Sequence, residues 1–296
     1  MPAATTHIEF SKEVLEKLRL QEKKRIKNIH MYYLGSQGPD MLFFSRASIL
    51  PGSLKPYGNL MHDEKVYEVI YFFEQFAGKD PDLNSYISGY LCHYALDSLA
   101  HPLINAVARY RHNEEGLNES ESHIISEGDI DVWLLHQRGR KISSYSVFDE
   151  VAVDKNSREK LAKMYHYMFE KVFQVDIPIR KISDSINDIA NLTKLLYPTK
   201  KNYDRAYKLE SLFSMPHCFS GMILYNHNDT TVLNLNHQKY PLAYDHSQTI
   251  SASFPQLYGK AIFLAKRLIE GHAEEDFQNN FNGVPKEVYE EEKNNA

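Results

Sequence analysis

Residues 88–102, SGYLCHYALDSLAHP, carry His93, Asp97 and His101 at intervals of four inside an otherwise apolar run. On an α-helix a step of four residues turns about 400°, so the three side chains drift only about 40° per step and form one row. Tyr90, Leu91, Leu96 and Ala100 surround them, which predicts a row that faces inward. Imidazole and carboxylate taken out of water must be paired or bound to metal. SHIISEGDID adds His123 and Glu127, again four apart, while Asp40 in GSQGPDMLFF and His62 in GNLMHDEK occupy turn-like settings that can aim a ligand into a bundle. One His/carboxylate pair is usually a structural hydrogen bond; two such pairs plus a further in-phase histidine shift the balance toward a metal site. Nitrogen and oxygen donors without sulfur suit zinc and do not exclude manganese or iron. Of the remaining histidines, His112, His136, His166 and His272 read as solvated, and His217, His227, His237 and His246 as loop residues.

Helical periodicity must position these groups. Apolar residues recur at three- and four-residue spacing near 11–34, 63–77, 83–101, 118–139, 156–174, 178–197 and 254–273, with no clear alternating strand. GPD at 38–40 ends the first helical region and DPDLNS at 80–85 precedes the helix bearing the row. The Asn- and His-rich stretch 226–250 reads as an ordered loop packed on the bundle, and the polar end from residue 285 as a fraying tail. An all-α, single multi-helix domain over 1–284 with a tail at 285–296 is expected.

The 296 residues, 43% hydrophobic and 12% aromatic, can fill a substantial core. A net charge of -5 gives no bulk attraction toward nucleic acid or an anionic membrane, though a local basic groove is compatible with it. Cys92 and Cys218 form no C-x-x-C pair and read as reduced core residues. No secretory leader and no membrane-spanning run is visible, so a cytoplasmic location is expected.

Together the motifs resemble the zinc-dependent phospholipase C family of bacteria, an all-helical fold shared in outline with the P1-type nucleases. TTHIEFSKEVL resembles the family's opening Thr-His and following helix, YLGSQGPDMLFF its Gly-x-x-Gly-Pro-Asp turn, SGYLCHYALDSLAHPLIN its His-x-x-x-Asp-x-x-x-His-Pro helix, and SHIISEGDIDVWLL its His-x-x-x-Glu helix. The likeness is specific through about residue 140 and weaker in VLNLNHQKYP and SASFPQLYGKA. It implies two to three zinc ions. Asp40, His62, His93 and Asp97 would hold one, and His101, His123 and Glu127 a second. Asp97 would bridge toward a third, which secreted members bind through the N-terminal amine and a nearby histidine. Those enzymes begin with Trp, whereas this chain begins Met-Pro-Ala-Ala; His7 is the candidate histidine and His30 a second choice.

Cleaving a phosphodiester needs a strong nucleophile at neutral pH and neutralisation of the charge that builds on the phosphoryl oxygens. Zinc lowers the pKa of a bound water to about 7 and clamps the attacking and leaving oxygens. Asp40 is the candidate general base. Phe43, Phe44 and Tyr57 are candidates for lining the substrate cleft, although MLFF is also what a core requires. The expected substrate is a phospholipid headgroup or a small phosphodiester. Transient contact with a membrane surface is compatible with that substrate, and nucleic acid is not expected as a partner. A P1-like single-strand nuclease and a non-catalytic protein retaining a structural zinc cluster are the two other readings.

Overall fold

Caps and buried faces set where each periodic segment becomes helix. In the computed structural model, which describes residues 4–48 and 51–289, the helices are α1 (Ala4–Lys17), α2 (Leu20–Lys23), α3 (Ile29–Gly35), α4 (Lys55–Asp63), α5 (Val66–Ala77), α6 (Pro81–Glu115) and α7 (Glu119–Gln137). They continue with α8 (Val147–Val151), α9 (Lys155–Met168), α10 (Ile179–Leu195), α11 (Lys200–Leu212), α12 (Cys218–Gly221) and α13 (Phe254–Glu270). Two-residue strands β1 (Tyr240–Pro241) and β2 (Thr249–Ile250) pair antiparallel, Tyr240 opposite Ile250. The fold is all-α, as the periodicity predicts.

Helices α4, α8, α11 and α12 fall wholly or almost wholly outside the segments read as helical, and two of the expected segments have different bounds. The segment 11–34 is not one helix: the chain leaves α1 at Lys17 and re-enters helix at α3, where the Asn28 side chain accepts the Met31 N–H. Conversely, α6 does not stop before Pro102 but runs through it to Glu115. The proline removes one N–H from the ladder. The residues beyond it, Leu103, Ile104 and Val107, are buried, and that burial carries the helix onward. Asp80 starts α6 by accepting the N–H groups of Asp82 and Leu83, with Pro81 at the first helical position. At the start of the expected tail, Asn279 pairs with Pro285 and the Lys286 N–H donates to the Gln278 carbonyl. Residues 290–296 of the expected tail lie outside the described residues.

The chain divides into two compact units. The larger comprises described residues 7–48, 51–98, 148–192 and 261–289. Within it α3 meets α6 backbone to backbone, because a Cβ at Gly35 would lie 2.0 Å from the Tyr86 carbonyl oxygen and one at Gly89 would lie 1.9 Å from that of Tyr32. Only glycine fits such a crossing. Phe73, Tyr90 and Tyr165 pack beside it, with the Tyr86 and Tyr165 hydroxyls 2.6 Å apart. The smaller unit comprises described residues 4–6, 99–147 and 193–260. There α7 packs against α12 and the turn Thr231–Leu233, and buried Arg111 pairs with Asp129 at 3.1 Å. None of the described helices is long and apolar enough to cross a membrane.

Candidate metal centre

In the larger unit the close approach of α3 to α6 brings the Ser36 carbonyl to His93 Nδ1, 3.1 Å away. A carbonyl only accepts, so Nδ1 carries a proton and Nε2 is the ring atom left for another partner. That Nε2 is fully buried, lies 3.0 Å from Asp97 Oδ2, and makes no directed hydrogen bond. A short approach without a directed hydrogen bond is an arrangement that a cation between the two atoms satisfies. His62 is anchored in the same way, its Nδ1 lying 2.8 Å from the Gly58 carbonyl, while its Nε2 hydrogen-bonds Asp40, 3.1 Å from Oδ1, with Asp97 Oδ2 at 3.9 Å. His7 Nε2 lies 3.2 Å from Asp97 Oδ1, and its ring sits 4.2 Å from that of His93. The two oxygens of Asp97 thus face different imidazoles. Burial opposes ionisation of Asp40, but His93 and His62 outweigh it and hold its carboxyl below the usual range.

Gly38 sets the ring position of His93. Its φ is +52°, and a Cβ there would come within 2.2 Å of His93 Cδ2. The sequence GPD therefore supplies more than a helix stop: the glycine admits the imidazole, and Asp40 follows in the turn Gly38–Leu42. Phe281 packs on the same histidines, 5.3 Å from the His62 ring and 5.5 Å from that of His93, and its N–H donates to the His62 carbonyl. Nothing in its own segment, FNGVP, signals this role.

In the smaller unit, His101 on α6 and His123 on α7 place their Nε2 atoms 3.5 Å and 3.2 Å from Glu127 Oε1. Burial of Glu127 works against its charge, yet nearby positive charge and hydrogen bonds, those of His123 and His101 among them, hold its carboxyl well below the usual range. One turn further along α7 lies Asp131, which the sequence reading missed. Its Oδ1 accepts both the Thr6 N–H (2.7 Å) and the Thr6 hydroxyl (2.6 Å), satisfying the start of α1 one residue before His7. The spacing 123, 127, 131 continues the stripe and was the available signal.

Among the described residues three groups of donors result: His7, Asp40 and His93; His62, His93 and Asp97; His101, His123 and Glu127. The ligand atoms within each group lie within 4.8 Å of one another. His30 joins none of them; it is exposed, with Nδ1 on the Glu150 carbonyl. Of the three aromatics expected at the substrate, Phe43 is half-buried with its ring 5.3 Å from His62, Phe44 is buried, and half-buried Tyr57 packs edge-on against Phe169. Two other histidines differ from the sequence reading. His272 is not solvated but sits against Phe277 with Glu74 at 3.4 Å. His227, although in a loop, is buried, bonding Asp129 and the Gly221 carbonyl.

The model of the family described as zinc dependent phospholipase C matches residues 6–182, more than half of the 296-residue chain. The chain belongs to this family. All the candidate donors fall inside the matched span. No curated protein and no solved structure matches the chain.

The donors fit the metal of the zinc-dependent phospholipase C family. Zinc bonded to nitrogen and oxygen at about 2.0–2.2 Å in a tetrahedron spaces its ligands about 3.3–3.5 Å apart. The imidazole–carboxylate separations run from 3.0 Å to 3.5 Å around Asp97, Asp40 and Glu127, apart from the longer His62–Asp97 approach of 3.9 Å. A cation between Nε2 of His93 and the carboxylate of Asp97 satisfies both atoms, and the backbone carbonyls at Nδ1 leave Nε2 free to ligate.

Burial pushes the Asp131 carboxyl up to about 7, more than the Thr6 hydrogen bonds offset. A folded value above the unfolded one, about 3.9, means that the folded state holds the proton longer; stability from this group is present below about pH 4 and lost as pH rises through about 7. Asp131→Asn keeps an oxygen acceptor for Thr6 and removes the titration. In chelator-treated protein, the melting temperature of the wild type relative to Asp131→Asn is expected to fall between about pH 4 and pH 7 and to level off above. Parallel curves for the two proteins across that range would refute the assignment.

Proposed function

We propose that the chain is a zinc-dependent phosphodiester hydrolase acting on a phospholipid headgroup or a related phosphodiester. The observation that carries this reading is His93: its Nδ1–H is committed to the Ser36 carbonyl while its buried Nε2 faces Asp97. We assign Asp40, His62, His93 and Asp97 to one zinc ion and His101, His123 and Glu127 to a second, with His7 and Asp97 serving a third. Bound zinc supplies charge neutralisation and an activated water. Asp97 orients the imidazoles on either side of it through its separate oxygens. Asp40, whose side chain is 13% exposed, is the rim carboxylate and takes the proton from the attacking water. His62 and His93 keep that carboxylate ionised at neutral pH. Phe43, beside His62, is positioned to hold the non-reacting part of the substrate away from water.

The test combines metal analysis with parallel hydrolysis of a chromogenic phosphocholine diester and a bis-aryl phosphate. Two to three zinc ions, release of a phosphomonoester from the phosphocholine diester, and a rate that changes less than about twofold between about 50 and 200 mM salt are expected, because no run of phosphates has to shed counterions. Steep salt inhibition with degradation of single-stranded DNA or RNA would replace this reading with the P1-like one. Bound zinc without hydrolysis of either diester would leave a structural cluster.

A further inference from the structure

Helix α11, KKNYDRAYKLESL, is capped by Thr199, whose side chain accepts the Asn202 N–H. At about 100° per residue, Lys201, Arg205, Lys208, Leu209 and Leu212 fall within one arc of about 100°. The opposite face holds the helix in place. Tyr203 packs against Tyr225 at 6.0 Å between ring centroids, and buried Glu210 accepts hydrogen bonds from the Phe219 and Ser220 N–H groups and the Ser220 hydroxyl. The arc is thereby turned to solvent. Leu209 is 58% and Leu212 75% exposed, Phe213 directly after them 64%, and Leu195 at the end of α10 69%.

Apolar side chains left in water gain nothing for folding, and their company is cationic. Residues 194–213 contain five basic side chains, Lys194, Lys200, Lys201, Arg205 and Lys208, against Asp204 and Glu210, an excess of three positive charges in a chain whose net charge is -5. Asp204 is paired with Lys200 at 2.6 Å and Glu210 is turned inward. Among the described residues Lys201, Arg205 and Lys208 form no ion pair. Leucine and phenylalanine edges flanked by unpaired cations are the chemistry that meets an anionic lipid surface, the apolar groups entering the acyl boundary and the cations resting on phosphates. A second copy would present the same positive face, and like charges oppose that pairing.

We propose that this face of α11, with Leu195 and Phe213, docks the protein on anionic lipid bilayers. The proposal deepens the lipid-substrate reading of the metal centre and rests on it for its purpose, while binding is measurable without catalysis. The test is sedimentation with vesicles of phosphatidylcholine and phosphatidylserine, in about a 7:3 ratio, against vesicles of phosphatidylcholine alone. The wild type is expected to bind the mixed vesicles about tenfold or more tightly than the neutral ones, and to release as salt rises. The triple variant Lys201→Glu, Arg205→Glu, Lys208→Glu and the double variant Leu212→Ser, Phe213→Ser should each weaken binding by about tenfold or more. Circular dichroism and turnover of a soluble short-chain diester should stay unchanged. Absence of wild-type binding, or equal binding by both variants, overturns the proposal. So does a wild-type dimer in sedimentation equilibrium that the double variant dissociates, because the face then belongs to a second copy. Hydrolysis of the soluble diester without vesicle binding defeats the docking surface alone; vesicle binding without any diester hydrolysis defeats the proposed activity alone.

Discussion

Asp97→Asn should lower diester hydrolysis by about 10³-fold or more, the scale on which removal of a group stabilising transition-state charge is felt. The carboxylate presents Oδ1 to His7 at 3.2 Å and Oδ2 to His93 at 3.0 Å, with His62 at 3.9 Å from Oδ2. Asparagine has almost the same shape, so packing around α6 survives. What changes is charge and donor type: one oxygen becomes an NH₂ that cannot ligate a cation and that turns a donor toward a site built for acceptors. Zinc content is therefore expected to fall by about one ion or more along with the rate, and excess zinc should recover only part of the activity, as mass action allows for a weakened site. His112→Ala and His136→Ala, both at exposed positions away from the donor groups, serve as controls and should retain metal and rate. Full activity in Asp97→Asn would remove catalysis from this cluster.

The donors of this centre were readable in sequence to the extent that helical period encodes them. His93, Asp97 and His101 repeat every four residues among apolar neighbours, and burial on one face follows from that pattern alone. His123 and Glu127 obey the same rule. Asp131, the next step of that stripe, was passed over because an acidic residue in EGDID reads as solvated until its partner is known, and Thr6 lies 125 residues away. Phe281 and the Ser36 carbonyl are less legible still. The first depends on where the chain returns after α13, and the second is a backbone atom presented by the Gly35–Gly89 crossing. The segment read as helical, 83–101, stops just before Pro102. A proline argues for a helix end locally, but burial of the residues that follow outweighs one lost hydrogen bond. The opposite error, one helix over 11–34, came from reading spacing through LRLQEKKRIKN, where no residue from Arg19 to Asn28 except Glu22 is buried to hold a continuous helix.

Removing the metal should be the largest perturbation of stability. Without a cation, Nε2 of His93 lies fully buried beside Asp97 with no directed hydrogen bond, and Glu127 lies buried against His101 and His123. A ligand at about 1,000 times its dissociation constant stabilises the folded state by about 4 kcal/mol. At about 2–4 °C per kcal/mol for a chain of this scale, chelation is expected to lower the melting temperature by about 10 °C, with recovery on adding back two to three equivalents of zinc. The pH dependence of the chelated protein gives a second readout. Asp40 and Glu127 have folded values below their unfolded ones, so the stability they contribute is present above about pH 4 and is lost as pH falls through the folded values. Acid should therefore compound the effect of the chelator, whereas above pH 4 the opposing titration of Asp131 contributes to the slope. A chelated protein with an unchanged melting temperature, indifferent to added zinc, would show that these carboxylates and imidazoles satisfy one another without a metal, and the three donor groups would then be buried ion pairs and nothing more.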